Sequence, residues 1–172
     1  MLMRPGQQLL LPANPVFIWG SLAVALLVNM LPLGRAPWRP DLLMLLLVFW
    51  SVHQPLRVGI GSAFVFGLCM DVQQAGLLGQ HALAYTALSY FAIMIHRRLL
   101  WFGVPSQALQ LLPIFAAAHA IELGVSMLAG AGFGGWQALW APLIEAALWP
   151  VASVLLLAPQ LRAPDPDKDR PL

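Results

Sequence analysis

The stretch RPDLLMLLLVFWSVHQPLRVGIGSAFVFGLCMDVQQAGLLGQHAL, residues 39–83, holds two apolar runs. Gln54-Pro55-Leu56-Arg57 separates them, and the polar, glycine-bearing turn from Gln73 to Gly79 closes the second. Neither Leu42 to Val52 nor Val58 to Met70 contains a charged residue. Proline and glycine at the breaks, with leucine-rich sequence between them, predict two helices, Asp41 to Val52 and Val58 to Val72. Twelve residues rise by roughly 18 Å as helix, against a hydrocarbon core of roughly 30 Å. The pair is therefore short, either crossing a thinned bilayer or forming a re-entrant hairpin.

Outward from this pair the same pattern repeats. Further helices are predicted at Val16 to Leu33, His81 to His96, Pro105 to Ala129 and Trp136 to Leu161, making six. The breaks fall at Pro32, Pro37 and Pro40, at Arg97 to Gly103 and at the glycine-rich Gly130 to Gly135. Of 172 residues, 60% are hydrophobic and only 9% charged, with a mean hydropathy of +0.77. A soluble domain carries roughly 25% charged residues. The reading is an all-α, polytopic membrane helix bundle of about six transmembrane helices, two of them short. Its parts are an N-terminal segment 1–15, a transmembrane domain 16–161 and a disordered tail 162–172, the tail mixing charges of both signs with proline. Arg4 precedes an apolar run with no A-x-A-like cleavage site, so this run is read as an uncleaved first helix.

Six crossings put Arg4, Arg57, Arg97, Arg98, Arg162, Lys168 and Arg170 on one side and only Arg35 and Arg39 on the other. The excess of positive charge marks the cytoplasmic side, which places both termini in the cytoplasm. Trp19, Trp38, Trp50, Trp101, Trp136 and Trp140 fall near predicted helix ends, where amphipathic rings favour the interface. A net charge of +2 spread over several loops forms no basic patch and gives no support for nucleic acid binding. Cys69 is the only cysteine, which rules out an intramolecular disulfide and a CxxC pair.

Polar groups inside apolar helices are costly and so mark candidate sites. Gly59, Ala63, Gly67 and Asp71 recur every four residues, placing three small residues and a carboxylate along one helix face. Asp71 has two readings: a recognition carboxylate, or a helix-end residue accepting backbone amides of the following turn. The habits of Asp at turns favour the second. Asp41 at the start of its helix reads as a cap, and Arg57 stands just before the next helix.

His119 and Glu122, three apart on one face, are read as an internal hydrogen-bonded pair. HAIE lacks the second histidine of HExxH, so no metal is expected. Glu145 follows Pro142 in what reads as the first turn of the last helix, with reach to water and no assigned chemistry. His81, Tyr85 and Ser89 form a polar stripe that interhelical hydrogen bonds explain. GIGSAF is not a nucleotide loop, since it lacks the third glycine and the preceding strand. No catalytic residue, metal or cofactor is predicted.

Residues 39–83 resemble the bacterial rod shape-determining MreD family. Arg39-Pro40-Asp41 opens a leucine-rich helix ending in Phe49-Trp50; Pro55 and Arg57-Val58-Gly59 lead into the next helix, with Gly67 and Asp71 at its end and Leu78-Gly79 after it. Leu148-Trp149-Pro150 matches in the last helix. Partner binding or helix packing is therefore expected of Arg39, Pro40, Asp41, Arg57, Gly59, Ala63, Gly67, Asp71, Gly79, Trp149 and Pro150.

The resemblance implies a non-enzymatic subunit of the complex that elongates peptidoglycan in rod-shaped cells, lodged in the inner membrane and bound to MreC, a single-span protein. Through MreC it implies links to MreB, RodA and a class B penicillin-binding transpeptidase. It also implies a fold similar to the substrate-binding membrane subunits of energy-coupling-factor transporters. The alternative function is thus a small-molecule-binding or transport subunit, with Asp71, His119 and Glu122 as pocket groups.

Overall fold

A computed structural model describes residues 13–31, 39–75, 77–130, 132 and 135–160. Among these residues there are six α-helices and no strand: α1 Pro15–Met30, α2 Leu42–His53, α3 Ile60–Gln74, α4 Gln80–Leu99, α5 Val104–Leu128 and α6 Trp140–Leu157. A 3-10 turn, Trp136–Leu139, leads into α6, and another, Ala158–Gln160, follows it. The expected N-terminal segment and acidic-basic tail lie largely outside the described residues, as do Arg35 and Trp38.

The helix ends follow local chemistry. The Asn14 side chain accepts the Val16 N–H at 2.9 Å, and Pro15 occupies the first helical position, where a missing N–H costs nothing. At the end of α3, Ala75 turns left-handed with φ 49°, and its N–H bonds back to Val72. Gln54 to Gly59 then redirects the chain between α2 and α3. The His53 Nδ1 bonds the Phe49 carbonyl at 2.9 Å, in the last turn of α2.

The short α2 forms the axis of the bundle. It packs against α1, α4 and α6, and every residue from Leu43 to Val52 except Leu46 is buried. Its companion α3 packs mainly against α4 and lightly against α1. Helices α2 and α3 share little contact with each other: α2 is enclosed while α3 lies at the periphery. Helices α4, α5 and α6 pack in succession.

Around α2 lies an aromatic layer. Phe49 meets Trp50 edge-on at 5.0 Å and Trp149 at 5.8 Å, and it stacks on His53 at 4.2 Å. Trp50 Nε1 donates to Ser21 Oγ at 2.9 Å, so the indole is satisfied away from water. This corrects one expectation: Trp50 is fully buried against α1, whereas Trp19, Trp101, Trp136 and Trp140 are exposed. Chain position does not reveal this, because Trp50 is buried by the helices that enclose α2.

Outward-facing positions are themselves apolar. Val24, Leu27, Leu109 and Val154 are all 60% or more exposed. Two segments, Val104–Leu128 and Trp136–Gln160, are long and apolar enough to cross a membrane, with mean hydropathies of 1.7 and 1.8. Most of the Val104–Leu128 surface is not buried in the bundle, so the hydropathy is not that of a covered core helix.

Candidate functional site

Among the described residues, the acidic side chains gather at one end of the bundle, where α2 and α4 begin. Asp71, 1% exposed near the end of α3, accepts the backbone N–H groups of Gly79 and His81 at 2.8 Å each and of Ala82 at 3.3 Å. His81 Nδ1 donates to it as well, at 2.8 Å. The first N–H groups of a helix have no partner within the helix. Gly79, with φ 103°, precedes α4 and has no side chain to cap it. A carboxylate on α3 supplies the cap from across the interface. Of the two readings for Asp71, amide capping is the one the geometry realises, although the amides belong to Gly79 and the start of α4.

Gly67 makes that reach feasible. A Cβ placed on it would lie 2.4 Å from the Cα of Ala82 and 2.7 Å from the carbonyl carbon of His81. Ala63 is fully buried along the same face. Gly59 caps the start of α3 through its backbone only, and a Cβ there would meet only the Pro55 carbonyl, at 3.7 Å. The small-residue face thus meets α4 of this chain at Gly67, and not at Gly59.

Asp41 is the N-cap of α2, its carboxylate accepting the Met44 N–H at 2.9 Å. Asn29 at the end of α1 and the Tyr85 hydroxyl of α4 also donate to it. The Asp41 N–H in turn donates to Glu145 Oε1 of α6 at 2.8 Å. His119 of α5 lies between two carboxylates, with Nε2 at 2.9 Å from Glu145 and Nδ1 at 3.5 Å from Glu122. Five helices therefore converge on one polar cluster, and the His81 ring meets Tyr85 edge-on at 5.9 Å, linking it to Asp71.

Glu145 requires a correction. It is the sixth residue of α6 and is fully buried, without the access to water expected of a first-turn residue. The cause is the packing of α6 against α5 and α2, which sets Glu145 against His119 and the Asp41 N–H. The His119–Glu122 pair is present, but Glu145 is the closer partner of His119. Asn29 and Glu145 join the site from outside the sequence candidates; each is a lone polar group in an apolar run, the same signal that Asp71 carries.

The remaining candidates lie elsewhere. Arg39 and Pro40 are half-buried just before Asp41. Arg57 is exposed at the far end of α2, beside a groove of about 460 Å³ that includes Trp19 and Phe66. Trp149 is fully buried; its Nε1 donates to Gln107 Oε1 at 3.0 Å, and Gln107 Nε2 donates to the Phe102 carbonyl at 2.9 Å. Pro150 lies within α6. The sequence candidates thus divide into the capping end, the Arg57 turn and the Trp149 layer.

Among the described residues, no three His, Cys, Asp or Glu side chains are placed to hold a metal ion. The polar end caps helices and ties five of them together.

The family model for the rod shape-determining protein MreD matches residues 13–158. A curated relative, the rod shape-determining protein MreD of Haemophilus influenzae, is 30% identical over 129 residues, which cover 73% of this chain and 77% of the relative. No solved structure matches the chain significantly. The likeness to energy-coupling-factor subunits thus has no structural match behind it. The chain, from the cap of its first helix to the end of its sixth, belongs to the rod shape-determining protein MreD family.

Proposed function

We propose that this protein is a non-enzymatic membrane subunit of the bacterial rod complex, binding the single-span protein MreC and supporting peptidoglycan synthesis during elongation. Membership of a rod shape-determining family carries the reading. The bundle supports it in physical terms, because the described residues form apolar helices joined by short connections. Partner recognition then runs through helix faces and helix ends.

The protein sits in the inner membrane with six crossings and both termini in the cytoplasm. Arg57, Arg97 and Arg98 lie at the end opposite the acidic cluster, the distribution the positive-inside rule assigns to the cytoplasmic face. Contact with MreB, RodA and a class B penicillin-binding transpeptidase is indirect, through MreC.

Two measurements test this. A clean deletion in a rod-shaped host rounds the cells, and expression of the chain restores the rod. Detergent pull-down of the tagged chain recovers MreC. A deletion strain with normal rods and normal wall synthesis would overturn the proposal.

A further inference from the structure

The acidic end of the bundle holds more carboxylate oxygen than its own donors satisfy. Asp41 is well supplied, by Asn29, Tyr85 and the Met44 N–H. One oxygen of Glu145 receives the Asp41 N–H and faces His119, and one oxygen of Glu122 faces the other nitrogen of the same ring. The other oxygens, Oε2 of Glu145 and Oε1 of Glu122, are buried and receive no hydrogen bond. Capping of α2 accounts for Asp41 and for the first oxygen of Glu145. It does not account for Glu122 or for the second oxygen of Glu145.

Charge points the same way. Both nitrogens of His119 face carboxylates, which suits a ring that donates on both sides. Even so, two carboxylates face this one ring and the Asp41 carboxylate belongs to the same cluster, with Arg39 as the basic residue next to Asp41 in the chain, and a buried charge is tolerated only when paired and hydrogen-bonded. A ligand that suits these two oxygens therefore brings positive charge and hydrogen-bond donors together. An anion or a neutral acceptor would add repulsion, and an apolar group would leave both oxygens unsatisfied. The His119 and Glu122 side chains keep 20% and 15% exposure while Glu145 keeps none, so access is from the α5 side.

We propose that Glu122 and Glu145, bridged by His119, form a binding site for a small monovalent cation carrying its charge on hydrogen-bond donors: a proton held by one of the two carboxyls, or a protonated primary amine. The groups that set its electrostatics are Asp41 and the nearby Arg39 at the start of α2, Asn29 on α1, Tyr85 on α4 and, through the His81–Tyr85 contact, the His81–Asp71 pair. The site is independent of the scaffold reading.

The test uses the full chain purified in detergent. Thermal unfolding is followed between about pH 5 and about pH 9, and at the alkaline end with methylammonium, sodium or tetramethylammonium at equal ionic strength. Tetramethylammonium carries the charge without N–H donors. The wild-type midpoint rises by about 3 °C or more on acidification from about pH 6.5 to about pH 5, below the range in which a histidine charged only in the folded state adds stability, which identifies the proton, or with methylammonium, which identifies the amine. Glu122→Gln abolishes that rise. Glu145→Gln does the same where it folds; since Glu145 also holds the Asp41 N–H, Glu122→Gln is the deciding variant. A midpoint indifferent to both ligands, an equal response to tetramethylammonium, or a wild-type response in Glu122→Gln would overturn the proposal.

Discussion

The Cα of Ala82 lies 2.4 Å from where a Cβ on Gly67 would stand, so α3 and α4 meet backbone to backbone at this point. No side chain can retract to make room. Gly67→Ala should therefore force the helices apart and lower stability by about 2 kcal/mol, the usual scale for overpacking. Gly61→Ala on the same helix has nothing within 4 Å of the new carbon. It should be neutral or stabilising by up to about 1 kcal/mol through helix propensity. Thermal unfolding in detergent, followed by circular dichroism, compares the two; equal effects would contradict the close crossing.

Asp71 accepts three backbone N–H groups and one ring nitrogen. Asn retains one acceptor oxygen and presents an NH2 where the other oxygen stood, so Asp71→Asn should cost about 1–2 kcal/mol. Asp71→Ala strands every donor at the start of α4 and should cost about 3 kcal/mol or more. Hydrogen exchange at Gly79, His81 and Ala82 should rise in the same order. Unchanged protection there would remove Asp71 as the cap of α4.

Tyr85→Phe deletes one donor to the Asp41 carboxylate while keeping the ring packed. A hydrogen bond to a charged group contributes roughly 1.5–3 kcal/mol, and that range is the expected loss. Tyr90, 46% exposed, is the control: Tyr90→Phe should change stability by less than about 0.5 kcal/mol. Similar midpoints for the two variants would contradict the Tyr85–Asp41 link.

Trp149 and Gln107 form a pair suited to a double-mutant cycle. Trp149→Phe leaves the Gln107 carbonyl oxygen without its donor, and Gln107→Leu leaves the indole N–H without its acceptor; each should cost about 1–3 kcal/mol. With both changes the orphaned Gln107 oxygen and indole N–H disappear together, while the loss at the Phe102 carbonyl is common to Gln107→Leu and the double variant, so the double variant should be about 1 kcal/mol or more stabler than the sum of the singles. Additive costs would mean the bond contributes nothing of its own.

Much of the fold was legible in the chain because apolar runs and breakers are local signals. Gln54-Pro55 and the glycines from Gly130 to Gly135 separate helices whichever way those helices pack. The predicted start of α2 at Asp41 falls one residue before the observed helix, since an Asp at that position caps better than it propagates. The family was equally legible, because the order Arg39-Pro40-Asp41, Arg57-Val58-Gly59, Gly67 and Asp71 is itself a sequence property.

What the sequence by itself determined, then, was the number of helices, their approximate ends, the apolar character of their surroundings and the family. Only the tertiary structure decided that α2 is the enclosed axis, that Trp50 lies within the core, and that Glu145 meets His119 and the Asp41 N–H across three helices. Periodicity reports which face of a helix is apolar, and α2 is apolar on every side. The partners of a buried carboxylate come from residues dozens of positions away, and their identity depends on how the helices cross.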